Sequence, residues 1–254
     1  MSAATLSSAF AALEPIDLDE LVAEASLQTR VDRKYVLDRV RAEGVLQWLA
    51  DGTRVLEIDG SRSLAYESVY FDTPDLLSYR LAAHARRRRF KLRTRAYLDT
   101  DRAYLEMKTR GSRSSTVKER IDYDVRDRST LTRAGREYAD AALDGLGIDP
   151  SSLALVPTLT TRYERTTLYL PGSSSRATVD TSLSWQAADG RTLRRPDLVI
   201  VETKSGSRTS EVDRLLWANG HRPSTVSKFG TGLAALNPDL PSNKWSRVLR
   251  RHFA

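Results

Sequence analysis

Apolar and polar residues alternate with a period of two along several short segments, which predicts strands with one apolar and one polar face. In residues 90–97, Lys91, Arg93, Arg95 and Tyr97 share one face, and Phe, Leu, Thr and Ala share the other. The same alternation recurs in residues 103–108, 117–123, 176–180 and 198–204. The chain therefore contains several strands that repeat one two-faced pattern.

The polar faces of these predicted strands carry mostly charged residues. Beyond residues 90–97, the polar positions are Tyr104, Glu106 and Lys108; Lys118, Arg120 and Asp122; Arg176, Thr178 and Asp180; and Glu202 and Lys204. Asp32 shares a face with Lys34, and Tyr163 shares one with Arg165. The ordinary interpretation is a half-solvated antiparallel sheet with a polar outer face. Because like charges that face each other across strands are destabilising, a face this rich in Arg and Lys favours a bound anion.

Apolar positions spaced three to four residues apart predict helices between the strands. Start signals at Asp17, Asp38, Thr73 and Ser210 precede four of them, and others are predicted over residues 131–146 and 243–253. The helix after Asp38 is expected to reach Ala50, and the last one is a basic amphipathic C-terminal helix. Residues 111–115 and 172–175 are rich in Gly and Ser, which predicts turns between strands.

These elements predict an α+β fold in a single domain over residues 1–254, because no linker separates two cores. We expect residues 1–13 to be disordered. A sheet of about eight strands that closed into a barrel would be wide enough inside for side chains or one slender ligand. Helices packed on its apolar outer face would complete the core.

Composition places the chain outside several functional classes. The 254 residues are 40% hydrophobic and 29% charged, and the mean hydropathy is −0.44. With no apolar run of about eighteen residues and no basic segment of the kind that begins a secretory signal, we expect a cytoplasmic protein. The absence of cysteine excludes disulfides, thiol nucleophiles and cysteine-ligated metals. The three histidines lie far apart, so any metal would take oxygen ligands, as Mg²⁺, Mn²⁺ and Ca²⁺ do.

Charge indicates what the polar face binds. The chain has 33 Arg and 7 Lys against 33 acidic residues, a net charge of +7 and a pI of about 9.7, which suggests an anionic partner. Arg and Lys on adjacent strands can hold successive phosphates. Glu106, Asp180 and Glu202 lie among them, and carboxylates in a phosphate site are costly unless a divalent cation bridges them to phosphate oxygens. The residues alone thus predict a metal-assisted site for a polyphosphorylated ligand.

Short motifs spread in order along the chain carry a family resemblance. They are Arg33-Lys34-Tyr35, Tyr66-x-Ser68-x-Tyr70-Phe71-Asp72-Thr73, Arg93-x-Arg95-x-Tyr97, Leu105-Glu106-x-Lys108, Val117-Lys118-Glu119-Arg120, Tyr163-x-Arg165, Val201-Glu202-x-Lys204 and Ser227-Lys228-Phe229. Over residues 28–235 they resemble the VTC domain of the CYTH-like, or triphosphate tunnel metalloenzyme, superfamily. Its eukaryotic members include the polyphosphate polymerase of the vacuolar transporter chaperone.

The resemblance implies a closed antiparallel barrel of about eight strands that forms a basic tunnel, with helices packed on its outside. The phosphate ligands that it implies are Lys34, Arg93, Arg95, Lys108, Lys118, Arg165, Arg176 and Lys228. Arg120 and Lys204 join this set, because they lie on the same predicted strand faces. Glu202 would bind Mn²⁺ or Mg²⁺, with Glu106 or Asp180 assisting. The implied catalytic set is Arg93, Arg95, Lys108, Arg165 and Glu202.

The function that the resemblance implies is a metal-dependent polyphosphate polymerase, which transfers the γ-phosphate of ATP onto a growing inorganic polyphosphate chain. One departure bears on this function. Polymerase-type members have a second lysine before the motif at residues 227–229, where this chain has Pro223-Ser224-Thr225-Val226. Two alternatives stay open: hydrolysis of inorganic triphosphate, polyphosphate or a nucleoside triphosphate at the same site, and polyphosphate binding without turnover.

Nucleic-acid binding is the alternative from another class, and Arg86-Arg87-Arg88-Arg89 and the high pI favour it. However, aromatic residues make up only 7% of the chain, and single-strand binders interleave aromatic with basic positions. We therefore expect ATP and inorganic polyphosphate or triphosphate as partners, and no nucleic acid. A membrane-protein partner that would bring the protein to a membrane is left open, as is the oligomeric state. The C-terminal helix either packs on the barrel, closes a tunnel mouth, or lies on a membrane or partner.

Overall fold

The computed structural model describes residues 5–25, 30–111 and 116–254. The strands are β1 (Glu14–Ile16), β2 (Val31–Asp38), β3 (Arg54–Leu56), β4 (Leu64–Asp72), β5 (Phe90–Tyr97), β6 (Arg102–Arg110), β7 (Thr116–Tyr123), β8 (Val156–Leu170), β9 (Ser175–Ala187), β10 (Thr192–Arg195) and β11 (Leu198–Ser205). The helices are α1 (Leu6–Ala11), α2 (Leu18–Glu24), α3 (Arg39–Leu46), α4 (Leu77–Ala83), α5 (Arg133–Asp144), α6 (Glu211–Ala218), α7 (Lys228–Leu236) and α8 (Ser246–His252). The fold is α+β and rich in antiparallel sheet, as predicted.

The chain forms two compact units, each assembled from separate stretches of sequence. Unit 1 contains Met1–Leu64, Tyr163–Leu183 and Arg195–Thr225, and unit 2 contains Ala65–Arg162, Ser184–Arg194 and Val226–Ala254. The strand pairings among the described residues do not close the sheet into a barrel. The closed barrel and the single domain therefore stay predictions.

Unit 1 is built on the antiparallel pairing of β11 with β2 and with β9. Val199 and Val201 of β11 pair with Leu37 and Tyr35 of β2, and all four side chains are buried. They form one core with residues of α1, α3 and α6. Because side chains alternate along a strand, the charged residues of these strands lie on the opposite face. The alternation predicted for residues 198–204 is confirmed at Val199 and Val201, which belong to the core, and at Glu202 and Lys204, which are half-buried, whereas Ile200 on the charged face is buried.

Polar caps begin the helices of unit 1 at predicted positions. Asp38 accepts a hydrogen bond from the backbone N–H of Arg41 at 2.9 Å, which starts α3. Ser210 and Asp213 form a reciprocal capping box at the start of α6. Helix α3 ends at Leu46, earlier than predicted, because a turn follows it.

The N-terminal segment contradicts one expectation. Disorder over residues 1–13 is wrong for residues 6–11, which form α1. Leu6 and Phe10 are 4% and 5% exposed and belong to the core of unit 1. Burial of two large apolar side chains offsets the chain entropy lost when this segment becomes ordered. Residues 1–4 lie outside the described residues.

Unit 2 contains the antiparallel series β4, β5, β6 and β7. Leu92, Leu105 and Met107 form a core with Ala139 and Leu143 of α5 on one side of these strands. In β5 the buried and half-buried residues alternate along the whole strand, as predicted. Strand β4 shows no such alternation, because nearly all of its side chains are buried, and the period-two pattern does not predict it.

Helix α4 begins later than predicted, at Leu77. Leu76 adopts a left-handed backbone conformation with a φ of 61°, which prevents an earlier start. Asp72, at the end of β4, accepts a hydrogen bond from the backbone N–H of Tyr79 at 2.9 Å and is fully buried. The motif at residues 66–73 thus includes an aspartate that anchors a helix.

The C-terminal segment packs its apolar side within unit 2. Trp245 and Val248 are buried, and the Trp245 ring lies 5.5 Å from that of Tyr79. A Cβ atom at Gly230 would stand 2.2 Å from the Trp245 ring, so only glycine allows this approach. Residues 243–253 therefore pack their apolar side against other residues of unit 2. Among the described residues, no helix has the length and apolarity that crossing a membrane requires.

One of the two predicted turns lies wholly among the described residues. A short 3₁₀ helix at Pro171–Ser173 joins β8 to β9, which confirms the turn at residues 172–175. The turn predicted at residues 111–115 lies, apart from Gly111, outside the described residues.

Candidate functional site

Charged residues face one another in rows across the sheet of unit 1. From β2 through β11 to β9, the rows are Asp32–Lys204–Arg176 and Lys34–Glu202–Thr178. They occupy the face opposite the apolar core, because they share one parity along each strand. The register therefore brings together four predicted site residues: Lys34, Arg176, Glu202 and Lys204.

Arg165 and Asp180 form a buried ion pair in unit 1. Arg165 donates from Nε to Asp180 Oδ1 at 2.6 Å and from Nη2 to Oδ2 at 2.8 Å. The two side chains are 8% and 1% exposed. Although burial by itself lowers the pKa of Arg165, the Asp180 carboxylate raises it well above the ordinary value. Arg165 is therefore a permanent cation held in a fixed orientation.

Lys204 and Arg176 are half-buried cations of unit 1. Burial lowers the pKa of Lys204 to about 8, and the nearby Arg165 and Arg176 add to this effect while Glu202 opposes it. Burial also lowers the pKa of Arg176, and Arg30 adds to that shift. Because desolvation disfavours the charged forms, a bound anion would stabilise this group of cations.

Glu202 is the residue of unit 1 that best fits a divalent metal. Its Oε1 lies 3.6 Å from Lys34 Nζ, whereas both carboxylate oxygens of Asp180 accept from Arg165. Within residues 5–25, 30–111 and 116–254, no three His, Asp or Glu side chains gather to hold a metal. The donor set thus fits an ion that takes one protein carboxylate and its other ligands from phosphate and water, as Mg²⁺ does on nucleotides.

Three lysines lie side by side across the sheet of unit 2. Lys108 of β6 pairs in register with Lys91 of β5 on one side and with Lys118 of β7 on the other. Like charges placed directly opposite one another are destabilising, so this row favours an anion with several charges. Strand parity predicts the face of Lys91, although the predicted ligand set omits this residue.

Glu106 is surrounded by cations in unit 2. Its side chain is 2% exposed, and its Oε2 accepts from Arg93 Nε at 2.9 Å and from Arg93 Nη2 at 2.7 Å. Lys118 Nζ lies 2.5 Å from Oε1, and Arg95 Nε lies 3.9 Å from Oε2. Although burial raises the pKa of Glu106, the cations hold it well below its usual range. As a metal ligand, Glu106 would have to give up these ion pairs, so its geometry favours orienting the cations.

Tyr70 is a residue of this face to which the sequence assigns no role. Its hydroxyl accepts a hydrogen bond from Arg93 Nη1 at 3.2 Å. The cationic groups of Lys91 and Arg93 lie 5.9 and 5.8 Å from the centre of its ring. No period-two pattern marks Tyr70, because nearly all side chains of β4 are buried, and its place in the motif at residues 66–73 is the signal that points to it.

The predicted ligands are divided between the two units. Unit 1 contains Lys34, Arg165, Arg176, Asp180, Glu202 and Lys204, and unit 2 contains Arg93, Arg95, Glu106, Lys108, Lys118, Arg120 and Lys228. Arg120 lies over the ring of Tyr104, 4.3 Å from its centre. Lys228 is the first residue of α7, whose cap is Ser227. The catalytic and ligand roles of all these residues stay predictions.

Arg33 and Tyr35, which flank Lys34 in its motif, both contact Asp213 of α6. The Tyr35 hydroxyl donates to Asp213 Oδ1 at 2.7 Å, and Arg33 Nη1 lies 3.5 Å from Asp213 Oδ2. Thr203 also donates to Asp213 Oδ1 at 2.7 Å. These bonds anchor β2 and β11 to α6 on one face, which leaves Lys34 on the other.

Comparison with known proteins identifies the sequence pattern. The family model of the VTC domain matches residues 29–237. No curated protein matches the chain.

Several solved structures are similar to this chain. A proposed adenylate cyclase from Bacillus halodurans shares 14% identity, covers 78% of this chain and 94% of its own, and has a TM-score of 0.48. A proposed adenylyl cyclase from Hippeastrum, described as having a dominant triphosphatase activity, shares 14% identity over 81% and 96% with a TM-score of 0.47. A conserved hypothetical protein from Pyrococcus furiosus shares 18% identity over 76% and 88% with a TM-score of 0.38. TM-scores this low carry no argument about function.

Proposed function

The chain belongs to the VTC domain family, and from this premise we propose that it is a metal-dependent polyphosphate polymerase. In the proposed reaction, a terminal phosphate oxygen of inorganic polyphosphate attacks the γ-phosphorus of ATP. The bond from that phosphorus to the bridging oxygen of ADP breaks, so the products are ADP and a polyphosphate chain longer by one phosphate. The attacking oxygen is already anionic, so the step needs no general base.

The observation that carries this proposal is the row of Lys91, Lys108 and Lys118 across β5, β6 and β7. Three like charges in register are costly by themselves, but they match the spaced charges of a phosphate chain. Unit 1, taken by itself, also presents cations, among them the fixed guanidinium of Arg165. The closed barrel and the basic tunnel implied by the resemblance are part of the same proposal.

Phosphoryl transfer requires little covalent chemistry from a protein, so positioning and charge neutralisation supply most of the rate. We assign Lys108, Arg93 and Arg95 to phosphate binding, with Glu106 orienting both arginines. In unit 1, we assign Arg165 to neutralising phosphate charge, because Asp180 holds its guanidinium in a fixed orientation. Glu202 would hold Mn²⁺ or Mg²⁺, and the ion would neutralise the oxygens of the nucleotide triphosphate. ATP and inorganic polyphosphate are the proposed partners, and the cytoplasmic location stays a prediction.

Incubation of the full chain with ATP and Mn²⁺ or Mg²⁺, followed by resolution of the products by size, tests the proposal. We expect an acid-insoluble phosphate polymer, and we expect Glu202→Gln to abolish it. Arg133→Gln is the matched control, because Arg133 forms an ion pair with Glu137 on an exposed helix surface and is 93% exposed.

The other outcomes separate the alternatives. If inorganic phosphate is released and no polymer forms, the activity is hydrolysis and not polymerisation. Tight binding of polyphosphate without turnover would make the protein a polyphosphate-binding domain. If Glu202→Gln leaves the activity unchanged, Glu202 is not the metal ligand.

A further inference from the structure

The polar face of β5, β6 and β7 changes its chemistry from one end to the other. In order along the strands, its cross-strand rows are Lys91–Lys108–Lys118, Arg93–Glu106–Arg120, Arg95–Tyr104–Asp122 and Tyr97–Arg102. The first row contains cations only, whereas the third contains one cation, one phenol and one carboxylate. One end of the face therefore suits several negative charges, and the other end does not.

Aromatic rings gather at the end that lacks the lysines. The ring centres of Tyr66 and Tyr97 are 4.8 Å apart, and those of Tyr97 and Tyr104 are 6.0 Å apart. The planar guanidinium of Arg120 covers Tyr104 at 4.3 Å. Tyrosine rings and a stacked guanidinium are the surfaces on which nucleobases stack, and such stacking tolerates any base.

A cavity of about 470 Å³ opens beside the ring of Tyr104 in unit 2. Tyr104 and Asp122 line it, together with Asp101 and Asp124. Its volume falls in the range of sites that bind small molecules. The carboxylate of Asp124 is already bonded to Arg126 at 2.6 Å, but Asp122 stands directly opposite Tyr104 in register.

The charges of this cavity disfavour a phosphate chain, because Asp101, Asp122 and Asp124 outnumber Arg102 and Arg126 in its lining. Arg126 is already paired with Asp124, and Asp101 and Asp122 exceed the remaining Arg102, so the lining as a whole repels phosphate. The same carboxylates accept hydrogen bonds from neutral donors such as ribose hydroxyls or an exocyclic amino group. A planar group that carries hydrogen-bond donors at its edge would stack on the tyrosine rings and donate to the carboxylates.

We propose that this cavity binds the base and ribose of a nucleoside triphosphate whose phosphates extend towards Lys91, Lys108 and Lys118. The assignment rests on the proposed function, because it deepens the same site by naming its nucleoside end. Tyr104 and Lys108 are four residues apart on one strand, which corresponds to about 13 Å. That distance is comparable to the length of an extended nucleoside triphosphate. The face would thus set the direction in which ATP binds.

Calorimetric titration of the full chain with ATP and, separately, with inorganic tripolyphosphate tests the assignment. We expect Tyr104→Ala to weaken ATP binding about tenfold, which corresponds to about 1.4 kcal/mol, and to leave the affinity for tripolyphosphate unchanged. Tyr104→Phe keeps the ring and should retain the affinity for ATP. Asp122→Asn should weaken ATP binding less than Tyr104→Ala does, because an amide oxygen still accepts.

Photolabelling of the wild-type chain with 8-azido-ATP keeps the test decisive if Tyr104→Ala does not fold. Label on residues 97–104 or 120–126 supports the assignment, and label confined to other residues overturns it. Equal losses for ATP and tripolyphosphate in Tyr104→Ala, or unchanged ATP binding in every variant, would also overturn it. If wild-type protein binds no tripolyphosphate, the proposed function fails, and the nucleoside site fails with it.

Discussion

The charged strand faces of unit 1 and unit 2 use the same residue types but balance their charges differently. In unit 1 each cross-strand row mixes signs or places a cation beside a neutral side chain, as in Asp32–Lys204–Arg176. Arg165 is matched by Asp180 through two hydrogen bonds. In unit 2 one row consists of lysines alone, and one carboxylate, Glu106, contacts three cations.

This difference shows where an external anion is most needed. In unit 1 the buried carboxylate provides a counter-ion, so its cations are organised before any ligand binds. In unit 2 the register places three lysines side by side, so binding of a polyanion would offset the repulsion between them. We therefore expect stability to depend most on the ion pair of unit 1, and phosphate affinity to depend most on the lysines of unit 2.

The largest effect is expected from Asp180→Asn in unit 1. The substitution removes the buried carboxylate that pairs with Arg165 and should lower the free energy of unfolding by about 3–5 kcal/mol. Urea denaturation followed by circular dichroism measures this change. The double variant Arg165→Met/Asp180→Leu removes both charges and should regain most of the stability without regaining polymer synthesis. Equal stability of Asp180→Asn and wild type would contradict the contrast between the units.

The second-largest effect is expected in the pH dependence of stability. Each unit contains a buried aspartate, and the two aspartates accept hydrogen bonds from different kinds of donor. Asp213 of unit 1 is bonded by the side chains of Tyr35 and Thr203, whereas Asp72 of unit 2 accepts from backbone N–H groups, including that of Tyr79. Burial raises the pKa of Asp72 to about 6 despite these backbone bonds. The folded protein therefore binds this proton more tightly than the unfolded chain does, which stabilises the fold at low pH.

The contribution of Asp72 should be fully present below about pH 4 and should be lost as the pH rises through 6. Urea denaturation at pH 4 to 7 of wild type and Asp72→Asn isolates it from other groups. We expect the stability of wild type relative to the variant to fall by up to about 3 kcal/mol across this range. A difference that stays constant with pH would show that Asp72 titrates normally.

Lys108→Met in unit 2 is expected to have two smaller effects of opposite kind: weaker binding of tripolyphosphate and a higher free energy of unfolding. Removal of the central lysine should weaken tripolyphosphate binding about tenfold, or about 1.4 kcal/mol. In the absence of ligand, it should raise the unfolding free energy by up to about 1 kcal/mol, because two like-charge pairs disappear. Calorimetric titration and thermal melting measure the two changes. Lys244→Met, in the C-terminal segment, is the matched control, and an equal loss of affinity there would argue against a specific role for the row.

The smallest effect is expected from Arg133→Gln. Arg133 and Glu137 form an ion pair in α5, with side chains 93% and 65% exposed. Exposed pairs of this kind contribute less than about 1 kcal/mol, so urea denaturation and polymer synthesis should both stay close to wild type. A large loss of activity would mean that charge anywhere on unit 2, rather than charge on the strand face, governs phosphate binding.

Much of the site could be predicted because strand parity depends on local sequence. The alternation in residues 90–97 places Arg93 and Arg95 on one face, and the structure shows the same alternation in β5. Strand β4 was missed because it is buried on both faces, so Tyr70 received no role. The disorder expected over residues 1–13 was wrong for α1, because the burial of Leu6 and Phe10 depends on partners far along the chain.

The sequence by itself determined which face each charged residue occupies and to which family the chain belongs, because both follow from residue order. Only the tertiary structure decided which charges meet. Lys34 lies beside Glu202, and Lys91 lies beside Lys108, because the register of antiparallel strands places them there. Register depends on how the apolar faces pack between strands that are distant in sequence, and a shift of one residue would turn every charged side chain to the other face. For this reason the balanced rows of unit 1 and the all-lysine row of unit 2 become visible only in the fold.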